Sequence, residues 1–255
     1  MGTRPHEVGT RSPAGRPGAV PGFAVVLNGV AAVAYATFFL EHLLSPDLDV
    51  INGYVSELSA VDQPYDALYS GGDFVTGLLI IIVAATCLLT LRRRPWATAG
   101  WTLLMLFGVC AIGDAVFPLD CAPSLESRCA LLERSENVSF SHEFHSVTSS
   151  AVVMFGVASL FTLSIAAHRY GWWPFLARWG WVLAALESAA GFATLLAMLL
   201  GQWLGIIQRI QIGILCLGLL VIGWALYTDW RAARSDRRRP GAEPGTGHER
   251  EEATP

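Results

Sequence analysis

The sequence predicts an all-α integral membrane protein: a bundle of six transmembrane helices, with both termini in the cytoplasm (N-in/C-in) and two structured outer loops. Of the 255 residues, 53% are hydrophobic and only 15% are charged, which is too little charge for a soluble domain of this size. The apolar residues form runs of about twenty, enough to cross the ~30 Å hydrocarbon core as helices. Most arginines lie in alternate links between these runs.

Six apolar runs define the predicted spans. The first run resembles a signal peptide because Ala34-Tyr35-Ala36 is typical of a cleavage site. However, the run continues through Thr37–Leu40, which favours an uncleaved span. The six predicted spans are Phe23–Leu44, Leu68–Leu91, Ala97–Phe117, Phe144–Ala167, Trp179–Gly201 and Ile206–Thr228.

The placement of arginine predicts the orientation of the bundle. All 17 basic side chains are arginine, which is typical of a GC-rich bacterial genome. With the N-terminus inside, 14 of them lie in inner segments, only Arg128 and Arg134 lie in outer loops, and Arg209 lies in the last span. The positive-inside rule then predicts that both termini face the cytoplasm, so we expect the chain to lie in the cytoplasmic membrane.

The predicted membrane domain covers residues 22–230, and a tail flanks it on each side. Residues 1–21 and 237–255 are rich in Gly, Pro, Arg and Glu and lack apolar periodicity, which predicts disorder. The predicted cytoplasmic tails are therefore residues 1–21, disordered, and residues 231–255, first basic and then disordered. The basic cluster Arg231–Arg239 acts as an orientation signal or binds anionic lipid headgroups. Membrane lipids are therefore expected partners, no nucleic-acid partner is expected, and the oligomeric state is left open.

The second outer loop, Pro118–Glu143, contains a cysteine pair. Cys121 and Cys129 lie eight positions apart, outside the membrane on the predicted topology, where disulfides persist. A bridge between them would fix the loop near the end of span three. A pair of metal ligands is the competing interpretation. The other three cysteines lie inside spans and act as small hydrophobes: Cys87, Cys110 and Cys216.

Polar residues occur at one depth near the outer ends of the spans. Ionisable residues inside spans are costly and indicate function, although helix starts also attract polar residues for structural reasons. Glu187 is separate, in the inner half of span five, and is either a polar contact or a proton-handling group. Glu41, His42 and Gln211 also lie at the outer depth. The ligand-binding candidates are Glu57 of the first outer loop (Ser45–Asp66), Asp73, Asp114, His142, His145, Gln208 and Arg209.

The spacing in "FSHEFHS" indicates one functional helix face. His142, His145, Ser146 and Ser149 follow the pattern i, i+3, i+4, i+7, so they share a face of span four. We expect both imidazoles to face inward, within reach of Asp73, Asp114 or Arg209. The guanidinium of Arg209 stays charged, so it needs an anionic partner, for which the two aspartates are the candidates.

The sequence resembles a bacterial membrane family known only as domain of unknown function, number 998. The resemblance implies a compact multi-span bundle without an assigned activity. It covers the chain from the first outer loop to span six, without the tails. It rests on "NGYVSELSA" at Asn52–Ala60, Pro64, "GD" at Gly72-Asp73, "FPLDC" at Phe117–Cys121, "SHEFHS" at Ser141–Ser146 and "QRIQIG" at Gln208–Gly213.

A second, fainter likeness is to the superfamily of membrane hydrolases that includes alkaline ceramidases. Its members combine histidines, an aspartate and a serine with zinc near one membrane face. This chain departs from that group in having six predicted spans instead of seven and an H-x-x-H pattern on span four. The residues that the likeness assigns to such a site are His42, His142, His145, Asp73 or Asp114, and Ser146 or Ser56.

Three functions follow from these patterns. The first is a membrane protein without a cofactor that binds a lipid or a small lipid-like ligand. The second is a membrane-embedded zinc hydrolase, in which histidines hold a metal that activates water. Its metal ligands would be His42, His142 and His145, and its catalytic candidates His142, His145, Asp73, Asp114 and Ser146. A transporter is disfavoured because no span shows mid-membrane Gly or Pro breaks.

Overall fold

The computed structural model describes residues 17–45 and 47–237, and this part of the chain is helical and contains no β-strand. The predicted all-α class is therefore confirmed. Two 3₁₀ helices cover Thr37–Leu40 and Val55–Ser59. The α-helices in the described part are α1 Gly22–Tyr35, α2 Glu41–Leu44, α3 Asp66–Thr90, α4 Pro95–Val116, α5 Ser127–Arg134, α6 Phe140–Tyr170, α7 Pro174–Leu200 and α8 Leu204–Arg237.

The predicted tails lie mostly outside the described residues. Of the first tail, Gly18 forms an isolated bridge with Leu91, and Arg92 N donates to Pro17 O at 2.6 Å. Of the second tail, the described part continues α8 to Arg237.

Within the described residues, five helices are long and apolar enough to cross a membrane: α3, α4, α6, α7 and α8. A sixth span results if α1 and the segment Thr37–Leu44 count as one span bent by 42°. The break falls at Ala36, where the sequence has neither Gly nor Pro, so the sequence pattern did not predict it. Which end of the bundle faces the cytoplasm stays a prediction.

The long helices form a closed ring. Each of the six contacts its two neighbours in the order α1, α3, α4, α6, α7, α8 and back to α1, whereas α6 and α8 hardly touch across the ring. The common core contains Ile80, Trp101, Leu104, Phe107 and Leu163, all almost fully buried. A ring of six helices is wide enough to leave space at its centre, and this space becomes important below.

The two ends of the ring differ in chemistry. We call one the arginine end, because Arg92–Arg94, Arg169 and Arg178 lie there. Its aromatic side chains pack together: the rings of Trp101 and Trp173 meet edge to face at 5.9 Å. The opposite end carries residues 47–65, the first loop, and residues 117–139, the second loop. We call it the loop end.

Two glycines set the distance between α3 and α4. A Cβ on Gly77 would lie 2.4 Å from the carbonyl oxygen of Gly108, and a Cβ on Gly108 would lie 2.7 Å from the oxygen of Gly77. The two backbones are therefore in direct contact, as in other membrane helix pairs with small residues at the interface.

We expect Gly77→Ala to destabilise the protein by about 1–3 kcal/mol, because the added methyl group forces α3 and α4 apart. Thermal unfolding in detergent measures the effect. Gly71→Ala in the same helix is the matched control, since a Cβ there meets nothing within 4 Å. Equal midpoints for Gly77→Ala and Gly71→Ala would contradict the close approach.

Candidate functional site

The first loop docks on the start of α8. A helix start leaves backbone N–H groups without partners inside the helix. Here Ile51 O accepts from Ile206 N at 3.2 Å, and Asn52 Oδ1 accepts from Trp203 N at 3.0 Å. In return, Val55 N donates to Gln208 Oε1 at 2.9 Å. The motifs "NGYVSELSA" and "QRIQIG" are therefore two halves of one contact.

A buried ion pair secures this contact. Arg209 donates from Nε to Glu41 Oε1 at 2.7 Å and from Nη2 to Glu41 Oε2 at 2.6 Å. Its Nη1 donates to Gly53 O at 3.1 Å. Glu41 is 2% exposed, so the pair is shielded from solvent. Bidentate pairs of this kind combine charge with a fixed geometry.

The prediction that Arg209 pairs with Asp73 or Asp114 is therefore wrong. The reason is the break at Ala36, after which the new helical segment Thr37–Leu44 brings Glu41 against Arg209 in the first turns of α8. The two aspartates lie on α3 and α4, on the other side of the ring from α8. The sequence predicted that Arg209, Glu41 and the two aspartates lie at the same depth in the membrane. It did not predict their positions around the ring.

The second loop docks on the first through Glu57. This buried carboxylate accepts hydrogen bonds from Tyr54 N at 2.8 Å, from Ser124 N at 3.1 Å and from Ser124 Oγ. Burial raises the pKa of Glu57 above its ordinary value, and the three hydrogen bonds oppose part of that rise. Val61 N adds a backbone bond to Leu119 O at 3.0 Å.

The predicted disulfide is confirmed. Cys121 and Cys129 are bonded, with their Cα atoms 6.0 Å apart. The bridge ties the start of the second loop to α5, whose Cys129 is buried. Ser124, which donates to Glu57, lies within the segment that the bridge closes. The bridge thereby restricts the conformations of this segment.

The second loop also docks on the start of α6. Asp120 accepts from Ser139 N at 2.7 Å and from Ser139 Oγ at 2.5 Å, while Ser139 Oγ accepts from His142 N as the N-cap of α6. His142 Nδ1 accepts from Asp120 N at 3.1 Å. The motifs "FPLDC" and "SHEFHS" are therefore joined, and His142 closes the joint.

The two histidines face inward but have different surroundings. Since His142 Nδ1 accepts a hydrogen bond, its proton lies on Nε2, which is 3.7 Å from Glu133 Oε1. His145 Nδ1 lies 2.8 Å from the carbonyl oxygen of Phe117, so it must be the donor there. His145 Nε2 is then free to accept from Ser149 Oγ at 3.2 Å. Both imidazoles are 3% exposed.

A cavity of about 810 Å³ lies inside the ring at the loop end. The two loops cover it, so we call them together the lid; Tyr54, Val55 and Leu119 are among the lid residues that line it. Deeper polar lining comes from all six helices of the ring. Those side chains are Tyr35, Asp73, Asp114, His145, Ser149, Glu187 and Gln211.

One polar cluster in the cavity joins α4 and α6. Thr148 Oγ1 donates to Asp114 Oδ1, and the Asp114 carboxylate interacts with His145 and Ser149. Because His145 in turn contacts Ser149, these four side chains form one connected group. The cluster includes His145, one of the two histidines singled out in the sequence, and His145 interacts electrostatically with Asp114.

The remaining predicted site residues divide into two groups. Ser56, Ser146, Asp73 and Gln208 line the cavity. His142, Glu57 and Arg209 instead join the segments that cover it. His42 is exposed, and the described residues contain no group of three or more His, Cys, Asp or Glu arranged to hold a metal ion.

Three functional candidates escaped the sequence analysis or were left undecided in it. Tyr35 lies in an apolar run and gave no signal, yet its hydroxyl interacts electrostatically with Asp73, Asp114 and Glu187. Glu41 was noted only by its depth. Glu187 was isolated in the sequence, but it lines the same cavity as the aspartates, because it lies at the middle of α7.

We expect Glu41→Gln to destabilise the protein by about 3–5 kcal/mol, because it leaves the buried Arg209 charge without a counter-charge. Thermal unfolding in detergent is the measurement. Arg128→Gln, an exposed arginine on α5, is the control and should have almost no effect. The double variant Glu41→Met with Arg209→Met should be more stable than either single variant; additive losses would contradict the pairing.

The raised pKa of Glu57 predicts a pH effect of definite sign. Since the folded state favours the neutral carboxyl, the contribution of Glu57 to stability is present at acidic pH and is lost as pH rises through the raised pKa. Because glutamine mimics the neutral carboxyl and does not titrate, the unfolding midpoint of the wild type should fall relative to that of Glu57→Gln from acidic to neutral pH. Asp47→Asn, in an exposed part of the same loop, is the control. A wild-type midpoint that rises relative to that of Glu57→Gln over this range would refute the assignment.

Comparison with known proteins places the chain in a family. No curated protein and no solved structure matches it, so the likeness to the alkaline-ceramidase superfamily is not shown. A family model described as "Protein of unknown function (DUF998)" matches residues 29–225, which is more than three quarters of the chain. The match includes both loops of the lid and all residues that line the cavity. The chain therefore belongs to the DUF998 family.

Proposed function

We propose that this protein binds a lipid or a lipid-like amphiphile in the cavity of its helix ring, within the cytoplasmic membrane. The observation that carries the proposal is the two-sided lining of the cavity. Its apolar part includes Met154 and Phe161 of α6 and Leu195 and Met198 of α7, whereas its polar part includes the carboxyls of Asp73, Asp114 and Glu187 on α3, α4 and α7. An amphiphile has the same division into an apolar and a polar part.

The apolar side supports entry from the membrane. Met154 and Phe161 on α6 and Leu195 and Met198 on α7 line the cavity, and all four are exposed on the surface of the bundle. Towards the arginine end the two helices close, since a Cβ on Gly180 would overlap Ser164 Oγ. The gap between α6 and α7 thus lies in the half nearest the loop end, where a lipid chain can enter sideways.

The dimensions of the cavity fit such a ligand. Its volume of about 810 Å³ lies within the range of pockets that bind small molecules. On α6 its lining extends from His145 to Phe161, which at 1.5 Å per residue is about 24 Å. Half of the hydrocarbon core is about 15 Å thick. There is therefore room for one acyl chain beside a polar group.

The lid supports binding at the polar end. Three sets of hydrogen bonds and the Glu41–Arg209 pair connect both loops to α6 and α8. The lid thus covers the carboxyls of the cavity on the side that faces the loop end. A bound polar group would be separated from bulk water, which strengthens its electrostatic contacts.

A membrane hydrolase is the second candidate, and one observation favours it. Ser149 Oγ lies 3.2 Å from His145 Nε2, the arrangement of a nucleophile and its base, and both side chains line the cavity. However, Ser149 lies inside α6, where backbone N–H groups are engaged within the helix. The N–H groups of the helix turns around Ser149 are therefore not available to bind an oxyanion. Ligand binding therefore accounts for the site better.

Filling the cavity should abolish ligand binding. The probe is a photoreactive fatty alcohol, with the protein in lipid nanodiscs and crosslinked peptides identified by mass spectrometry. We expect the probe to label α6 and α7 next to the cavity in the wild type. Gly191→Leu places a side chain in the cavity, since Gly191 lines it and a Cβ there lies 3.3 Å from Gln211 Nε2. We expect labelling of these segments to fall at least about tenfold, a loss of about 1.4 kcal/mol in binding.

Gly29→Leu is the matched control, because a Cβ on Gly29 meets nothing within 4 Å and Gly29 does not line the cavity. This variant should be labelled like the wild type. Labelling of α6 and α7 that is unchanged in a folded Gly191→Leu variant would contradict the proposed function.

A further inference from the structure

The charges that line the cavity are almost all negative. Asp73, Asp114 and Glu187 surround Tyr35 in its deep part, and Glu133 lies at the lid. No arginine is among the described lining residues, and the chain has no lysine. His145 is the one basic side chain in the described lining, and it already contacts Phe117, Ser149 and Asp114.

Glu187 is the least satisfied of these carboxyls. It is fully buried, and neither of its oxygens has a hydrogen-bond partner among the residues that the structure describes. Gln211 lies beside Glu187 and interacts with it, but no hydrogen bond of good geometry joins the two side chains. The amide oxygen of Gln211 accepts from Thr194 Oγ1 at 2.7 Å. Glu187 is among the residues that line the cavity, which is the space that a ligand would fill.

Asp73 offers a second open carboxyl. It lines the cavity from α3 and accepts no hydrogen bond from any residue in the described part of the chain, whereas Asp114 accepts from Thr148. Asp73 and Glu187 both interact with Tyr35, so the two groups face the same region from opposite sides of the ring. Arg209 does not neutralise these carboxyls, because its guanidinium is paired with Glu41.

Carboxyl groups without partners are expensive at this depth in a membrane, unless a cation accompanies them. We infer that the ligand of the cavity carries a protonated amine, which Glu187 and Asp73 bind, joined to an alkyl chain that lies between α6 and α7. This inference rests on the proposed function. An ammonium group donates up to three hydrogen bonds, so it matches carboxyl oxygens that lack donors.

The structure favours an organic cation over the other charge types. An anionic headgroup would lie next to three carboxyls, and His145, the one basic side chain in the described lining, already contacts Phe117 and Ser149. A bare metal ion would need several ligands around one point, and the described residues form no such group. Only an amphiphilic amine uses both the open carboxyls and the adjoining apolar gap.

Three photoreactive probes of equal chain length test the inference: a long-chain amine, the corresponding alcohol and the corresponding carboxylate. Each is titrated against the protein in nanodiscs of zwitterionic lipid, and labelling of α6 and α7 is quantified. We expect the amine to reach half-maximal labelling at a concentration at least about tenfold lower than the alcohol, equivalent to about 1.4 kcal/mol. The carboxylate should be weakest. In Glu187→Gln the amine should lose this advantage while the alcohol is unaffected.

Glu143→Gln controls for surface charge, because Glu143 is an exposed carboxyl at the start of α6 that does not line the cavity. It should keep the preference for the amine. Asp73→Asn gives a second test if Glu187→Gln does not yield folded protein. Equal labelling by amine and alcohol in the wild type would overturn the inference but leave the proposed function intact. Absence of labelling by all three probes would overturn both.

Discussion

The ion pair between Arg209 and Glu41 is the constraint on which the loop end of this protein depends. An arginine keeps its charge, so inside a membrane bundle it must be paired. Its three hydrogen bonds join three separate segments: the short helix after the break in the first span, the first loop, and α8. The backbone adapts to this contact. A Cβ on Gly205 would lie 2.5 Å from Gly53 O, so only glycine lets α8 approach the loop so closely.

The cavity follows from the way in which the helices pack around the ring. Glycines bring α3 and α4 into backbone contact at Gly77 and Gly108, and α6 and α7 close at Gly180 towards the arginine end. Towards the loop end α6 and α7 approach less closely, since a Cβ on Gly191 would lie 3.7 Å from Val153 Cγ1 of α6 and 3.3 Å from Gln211 Nε2 of α8. Tight packing on one side of the ring and at one end thus leaves open space at the other end.

The lid turns this space into a site. Each of the short motifs that carry the family resemblance takes part in it: Glu57 joins the two loops, His142 joins the second loop to α6, and Gln208 joins the first loop to α8. Asp73 and Ser146 face the cavity directly. These motif residues therefore either cover the cavity or line it.

Much of the fold could be predicted from the sequence, because membrane spans obey local rules of length and polarity. The spans, the Cys121–Cys129 bridge and the inward position of His142 and His145 followed from spacing alone. The break at Ala36 did not, since no Gly or Pro marks it. The partner of Arg209 was missed because depth along the membrane does not give position around the ring. The place of Glu187 beside Asp73 depends on the order of helices in the ring, which sequence patterns do not contain.

Determination of the structure by cryo-electron microscopy in nanodiscs made from native membrane lipids tests the central claim most directly. The account predicts elongated density between α6 and α7, with its polar end near Tyr35 and Glu187 beneath the lid. A map in which α6 and α7 pack together along their whole length, or in which the resolved cavity contains only water, would contradict it.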